Sequence, residues 1–203
     1  MDARTDILEG GLADPVLQSQ HAFKAVMDAL SRPGLVRRLL PSATPPAPLT
    51  AMGGTIALTL CDQDTAVWLD RKLGAGGGVA QWLAFHTGAT TTHDPMEADF
   101  AFLDGPENLN GLDRFAQGTQ AFPDRSTTLV VPVDGFSGGR QLQLAGPGVN
   151  GSVAIAPSGL PGDFPLLWAA NNALFPRGVD LVLAGPDGIL GLPRTTRISR
   201  QGG

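Results

Sequence analysis

Residues 179–197 read Val-Asp-Leu-Val-Leu-Ala-Gly-Pro-Asp-Gly-Ile-Leu-Gly-Leu-Pro-Arg-Thr-Thr-Arg. The apolar run Val179–Ala184 has the length and branching of a buried strand. Gly185-Pro186-Asp187-Gly188 is turn chemistry. Ile189–Leu192 then forms a second short strand, ending at Pro193-Arg194-Thr195-Thr196. That ending sets a fixed proline, a guanidinium and two hydroxyls at the rim of a core. Working back toward the N-terminus, Phe164–Phe175 has the pattern of a helix. Thr127–Val133, Gln141–Ala145 and Val153–Ala156 read as strands. Strands therefore cluster late in the chain.

Earlier, helices and strands alternate. Asp14 can cap a helix whose first position is Pro15. Phe23, Val26, Met27 and Leu30 follow at the spacing of one apolar helix face, and Pro33-Gly34 stops the helix. Leu35–Leu40 reads as a strand and Pro41–Pro48 as a connector. Leu49–Cys61 is a second helix and Ala66–Leu69 a strand. Leu73–Gly78 is a glycine loop and Val79–His86 a helix. Phe100–Leu103 is a strand and Leu109–Gln117 a short helix. Early alternation followed by late strands predicts an α/β fold, with a mixed β-sheet flanked by helices on both faces.

The chain has 203 residues, 42% of them hydrophobic, enough to bury a core without metal or disulfide. One domain spanning 14–197 is expected, with 1–13 as an N-terminal extension. The 27 glycines and 17 prolines predict many turns between short elements. A net charge of −5 argues against nucleic acid as a partner. The polar start, Met-Asp-Ala-Arg-Thr-Asp, has no apolar signal core, and no apolar run reaches the roughly 18 residues of a membrane span. The expectation is a cytoplasmic protein with no membrane contact.

Cys61 is the single cysteine. It cannot form a disulfide within the chain or hold an iron–sulfur cluster by itself. At the end of an apolar helix it reads as a buried, inert thiol. His21, His86 and His93 have no zinc-site spacing, so no metal is expected. Gly146-Pro147-Gly148-Val149-Asn150-Gly151 matches a dinucleotide fingerprint, but a strand rather than a helix follows, so a plain turn is expected. Gly74-Ala75-Gly76-Gly77-Gly78 lacks the Gly-Lys-Ser/Thr ending of a phosphate loop. With Lys24 and Lys72 as the only lysines, any anion site must rely on arginine, hydroxyls or backbone N–H groups. Arg32, Arg140, Arg194, Thr195 and Thr196 are the candidates, at an anion or at an interface.

Several segments resemble one family in order along the chain. They are Gly11-Leu12-Ala13-Asp14-Pro15-Val16, Gln20-His21-Ala22-Phe23 and Met27-Asp28-Ala29-Leu30-Ser31-Arg32-Pro33-Gly34. Next come Leu58-Thr59-Leu60-Cys61-Asp62-Gln63-Asp64-Thr65, Val67-Trp68-Leu69 and Phe85-His86-Thr87-Gly88. Ser137-Gly138-Gly139-Arg140, Leu144-Ala145-Gly146-Pro147-Gly148, Phe175-Pro176-Arg177-Gly178-Val179-Asp180 and Leu192-Pro193-Arg194-Thr195-Thr196 complete the set. From Gly11 to Thr196 the chain resembles the H subunit of the bacterial carbon–phosphorus lyase system, the PhnH family.

The resemblance implies a subunit of a core complex with G-, I- and J-type subunits. That complex forms alpha-D-ribose 1-methylphosphonate 5-triphosphate from ATP and methylphosphonate in organic phosphonate catabolism. A different subunit, with an iron–sulfur cluster, then breaks the C–P bond. The resemblance also implies a fold similar to the large domain of pyridoxal-phosphate transferases without the cofactor, and a homodimer in isolation. Neither Lys24 nor Lys72 is placed as a Schiff-base lysine. No catalytic residue carries over, so the chain is expected to be non-catalytic or co-catalytic. The alternative is an autonomous α/β phosphate-ester binding protein or transferase, using the five Arg and Thr candidates around an anion.

Overall fold

The computed structural model describes residues 9–200; residues 1–8 of the expected extension lie outside the described residues. The first helix, α1 (Pro15–Ser31), begins where Asp14-Pro15 predicts. The Leu17 N–H donates to the Asp14 carboxylate at 3.1 Å, satisfying one of the helix's orphan donors. Its inward face differs from the expected one. Ala22, Ala25, Val26 and Ala29 are buried, while Phe23 and Met27 are half-exposed. The cause is how closely the helix backbone approaches the sheet. A Cβ added at Gly191 would lie 2.6 Å from the Ala29 carbonyl oxygen, so only small side chains fit between them.

Among the described residues ten strands follow: β1 (Arg37–Arg38), β2 (Ala66–Leu69), β3 (Thr90–Thr92), β4 (Phe100–Phe102), β5 (Thr128–Pro132), β6 (Leu142–Ala145), β7 (Val153–Ile155), β8 (Asp180–Ala184), β9 (Gly188–Leu192) and β10 (Arg197–Arg200). Helices α2 (Ala51–Leu60), α3 (Arg71–Gly74), α4 (Gly78–Thr87) and α5 (Phe164–Asn172) are interleaved with them. Seven strands form one sheet in the order β1-β9-β8-β5-β4-β2-β3. Strands β3, β2, β4, β5 and β8 are parallel; β9 runs antiparallel to both β8 and β1. The fold is therefore α/β with a mixed sheet and helices on both faces, as expected. A second sheet, β10-β6-β7, is antiparallel throughout.

Alternating side chains of the large sheet feed two cores. Val67, Phe102, Val130, Val182 and Ile189 pack with α1, α2 and α4. Ala101, Leu129, Val131, Leu181, Leu183, Leu190 and Leu192 pack with the small sheet and α5. Burial on both faces explains why β5 and β8 are continuous apolar runs.

Three local expectations are corrected. Leu35–Leu40 keeps only Arg37 and Arg38 as strand, because its only sheet partners are Ile189 and Gly188 of β9. Leu109–Gln117 is not a helix; a single 3-10 turn, Leu112–Arg114, follows Gly111 at φ +67°. The glycine loop after β2 opens as the short helix α3, capped by the Asp70 carboxylate.

Candidate functional site

In an open parallel sheet, ligands sit beyond the carboxyl ends of the strands, where strand order reverses. Here the chain steps outward from β2 to β3, then returns to place β4 on the other side of β2. The loops beyond β4, β5 and β8 and the first turn of α2 enclose a cleft of about 650 Å³. Its charged lining is Asp104, Glu107 and Asp134, with no arginine or lysine; Pro132, Val133, Ala184 and Met52 supply an apolar wall.

Asp104 is fixed by its neighbours. It accepts the Lys72 N–H at 3.2 Å and the Asn108 side-chain amide, and Lys72 Nζ lies 3.8 Å away. Asp70, at the end of β2, accepts the Arg71 N–H at 2.8 Å and the Asp104 N–H at 3.4 Å. Glu107 and Asp134 are exposed. Lys72 offsets part of the Asp104 charge, but the lining itself carries carboxylates and no cation, which disfavours phosphate and phosphonate. It favours groups that donate hydrogen bonds: an amine, a guanidinium, a hydroxyl. Sequence reading missed these acids because Asp-Gly after a strand is ordinary turn chemistry. The available signal was their recurrence, as Asp104-Gly105 and Asp134-Gly135, beyond two neighbouring parallel strands.

None of the five Arg and Thr candidates lines this cleft. Arg194 sits at the opposite edge of the sheet, just beyond β9. Its Nε donates to Asp180 Oδ1 at 3.1 Å and its Nη2 to Asp180 Oδ2 at 2.5 Å. Its backbone N–H donates to Asp180 Oδ1 at 2.7 Å. Its Nη1 donates to the Pro123 carbonyl at 2.6 Å and reaches the Pro176 carbonyl at 3.5 Å. The fork grips a protein carboxylate and ties three chain segments together.

Thr196 is buried. Its carbonyl accepts the Trp168 indole N–H at 2.7 Å, while its Oγ1 has no hydrogen-bond partner among the described residues. Thr195 is half-buried. Arg140 is exposed and donates to the Gly162 carbonyl at 2.9 Å. Arg32, also exposed, ends α1. The Gly146–Gly151 segment joins β6 to β7 as a plain turn and brings two of these regions near each other. A Cβ at Gly148 would strike the Ser31 carbonyl at 2.2 Å, and one at Gly146 would meet the Thr195 carbonyl at 3.0 Å.

The other chemical candidates have structural surroundings. His86 meets the Trp82 ring at a tilt and the Phe85 ring edge-on, each with ring centroids 4.9 Å away, and its Nε2 lies 3.3 Å from the Glu9 carbonyl. His21, His93, Lys24 and Lys72 are exposed. Among the described residues, no group of three His, Cys, Asp or Glu could hold a metal ion, and no helix is long and apolar enough to cross a membrane. Cys61 is buried; desolvation, followed by the charges of Asp62 and Asp99, pushes its thiol up to about 12. The native chain at pH 8 should therefore resist iodoacetamide and react at one site once unfolded in guanidinium. Rapid alkylation of the folded protein would show that the thiol is accessible.

Comparison with known proteins agrees with the order of motifs. Residues 10–199 match the family model for a bacterial phosphonate metabolism protein, PhnH. A Rhizobium meliloti (strain 1021) protein, alpha-D-ribose 1-methylphosphonate 5-triphosphate synthase subunit PhnH, is 49% identical over 201 residues, covering 99% of this chain and all of the relative. A Stutzerimonas stutzeri protein, putative C-P lyase subunit HtxG, is 31% identical over 192 residues, covering 91% of this chain and 88% of the relative. Matched along nearly its whole length, the chain belongs to the PhnH family of bacterial phosphonate metabolism proteins.

Proposed function

We propose that this chain is the H-type subunit of a carbon–phosphorus lyase core complex. It supports formation of alpha-D-ribose 1-methylphosphonate 5-triphosphate from ATP and methylphosphonate in organic phosphonate catabolism. The observation that carries this reading is the end-to-end similarity to a relative named as a subunit of that synthase. The second relative is likewise named as a subunit. On this reading residues 14–197 form one domain that works in the cytoplasm beside G-, I- and J-type subunits and pairs with itself when alone. Its fold is akin to the large domain of pyridoxal-phosphate transferases, with neither Lys24 nor Lys72 serving a cofactor. The chain contributes surfaces and positioning. The autonomous anion-binding reading is less well supported, because the best-placed guanidinium is engaged by Asp180 and backbone carbonyls.

A tagged chain drawn from phosphate-starved cells of its own bacterium should bring the other core subunits with it. Deleting its gene should abolish growth on methylphosphonate as the phosphorus source. A chain recovered alone, or one that turns over phosphonate and ATP unaided, would overturn the proposal.

A further inference from the structure

The cleft beyond β4, β5 and β8 has walls of three kinds. Met52, Pro106, Pro132, Val133 and Pro186 give it apolar sides. Asp104, Glu107 and Asp134 give it hydrogen-bond acceptors. The first turn of α2 gives it donors. Thr50 Oγ1 accepts the Gly53 N–H at 3.0 Å, whereas the N–H groups of Ala51 and Met52, at the helix start, have no helical carbonyl to bond. At about 650 Å³ the space falls in the range of small-molecule sites, roughly 300–1,000 Å³. Among the described residues no three acids are grouped so as to hold a metal ion.

Two of the acids are built into the cleft. The Asp104 side chain is only 4% exposed. It accepts the Lys72 N–H and the Asn108 amide, which is two of the roughly four hydrogen bonds a carboxylate can take. The Lys72 ammonium stands 3.8 Å away on a side chain that is mostly exposed. A buried carboxylate with spare capacity calls for further donors. Glu107 folds back over Gly105, where an added Cβ would strike both of its carboxylate oxygens. Gly105 has φ −171°, extended backbone that any residue adopts, so the site uses its missing side chain and not its backbone freedom.

This lining selects among ligands. Phosphate presents acceptors to a wall of carboxylates and is disfavoured. An organic cation presents donors but sets its charge against the positive end of the α2 dipole. A polyol presents donors and acceptors but no flat apolar face for the proline-rich walls. An aminopurine presents all three: an exocyclic amine that donates, ring nitrogens that accept, and two apolar faces. We propose that this cleft binds the base of a purine nucleoside, with Asp104 and Glu107 accepting from its donor groups. The proposal stands on the cleft alone and does not require the subunit role.

The test is titration calorimetry with saturation-transfer NMR on the full chain. Adenosine or guanosine should bind saturably, with a Kd below about 1 mM. ATP should bind no more tightly than adenosine, and ribose 5-phosphate, methylphosphonate and spermidine should not displace the nucleoside. Gly105→Ala, which evicts the Glu107 carboxylate, and Glu107→Ala should each weaken binding at least fivefold. Ala51→Trp, which fills the mouth of the cleft with an indole, should abolish it. Ala51 and Glu107 are exposed, so their variants should melt within about 2 °C of wild type. They carry the test if Gly105→Ala melts early.

The absence of saturable binding by either nucleoside would overturn the inference. So would binding that Ala51→Trp leaves intact, ATP binding where adenosine does not, or displacement of the nucleoside by spermidine. None of these outcomes bears on the subunit role, which capture of the other core subunits decides separately.

Discussion

Replacing Arg194 with alanine is expected to cost about 2–4 kcal/mol of folding stability and to lower the melting point by roughly 5–15 °C. The reasoning starts from Asp180. Its carboxylate receives the guanidinium fork and the Arg194 backbone N–H, and the two side chains are only 13% and 19% exposed. Removing the fork leaves a largely buried carboxylate with one backbone donor. It also frees the Pro123 and Pro176 carbonyls. Partial exposure keeps the cost below that of a fully buried pair. Arg194→Lys should recover less than half, because an ammonium cannot reproduce two parallel bonds and a third at the far nitrogen. The measurement is thermal melting with and without phosphate or methylphosphonate. A structural clamp predicts a large drop without ligand and no change in ligand response. An anion-site arginine predicts the reverse, and an unaltered melting point in Arg194→Ala would rule the clamp out.

That clamp was partly legible in the sequence. The strands Val179–Ala184 and Ile189–Leu192 flank a four-residue turn, and their pairing sets Leu181 opposite Leu192. Asp180 then falls beside Pro193-Arg194, so hairpin arithmetic alone would have supplied the partner. The two strands themselves were plain because burial on both faces demands unbroken apolar runs. The start of α1 was equally plain, since Asp14 and Pro15 act through local geometry.

Its inward face was not. Apolar spacing favours large residues, yet the space under α1 at Ala29 is set by the bare backbone of Gly191, which lies far away in sequence, and the inward face carries three alanines and one valine. The large residues displaced to the outside, Phe23 and Met27, are half-exposed for that reason. β3 is three threonines on a sheet edge, a pattern with no apolar signal at all. The carboxyl-edge cleft was illegible for a different reason. Its acids sit on loops, and a single sequence does not separate a turn aspartate from one lining a cavity.

Trp168 gives the other large expected effect. The side chain is fully buried among Phe164, Leu112, Phe115 and the inner strands, and its indole N–H donates to the Thr196 carbonyl at 2.7 Å. Trp168→Ala should cost about 3–5 kcal/mol, from lost burial plus the cavity left behind, and lower the melting point by roughly 6–20 °C. Trp168→Phe keeps an aromatic ring in the site and removes the donor, leaving the Thr196 carbonyl unpaired, at about 1–3 kcal/mol. The ordering separates packing from hydrogen bonding. Packing predicts that phenylalanine restores more than half of the loss; equal losses would give the bond the larger share. Trp168 is also the inward anchor of the helix whose outward side is apolar. Wild-type melting in Trp168→Ala would mean that α5 is not seated on the core through this indole.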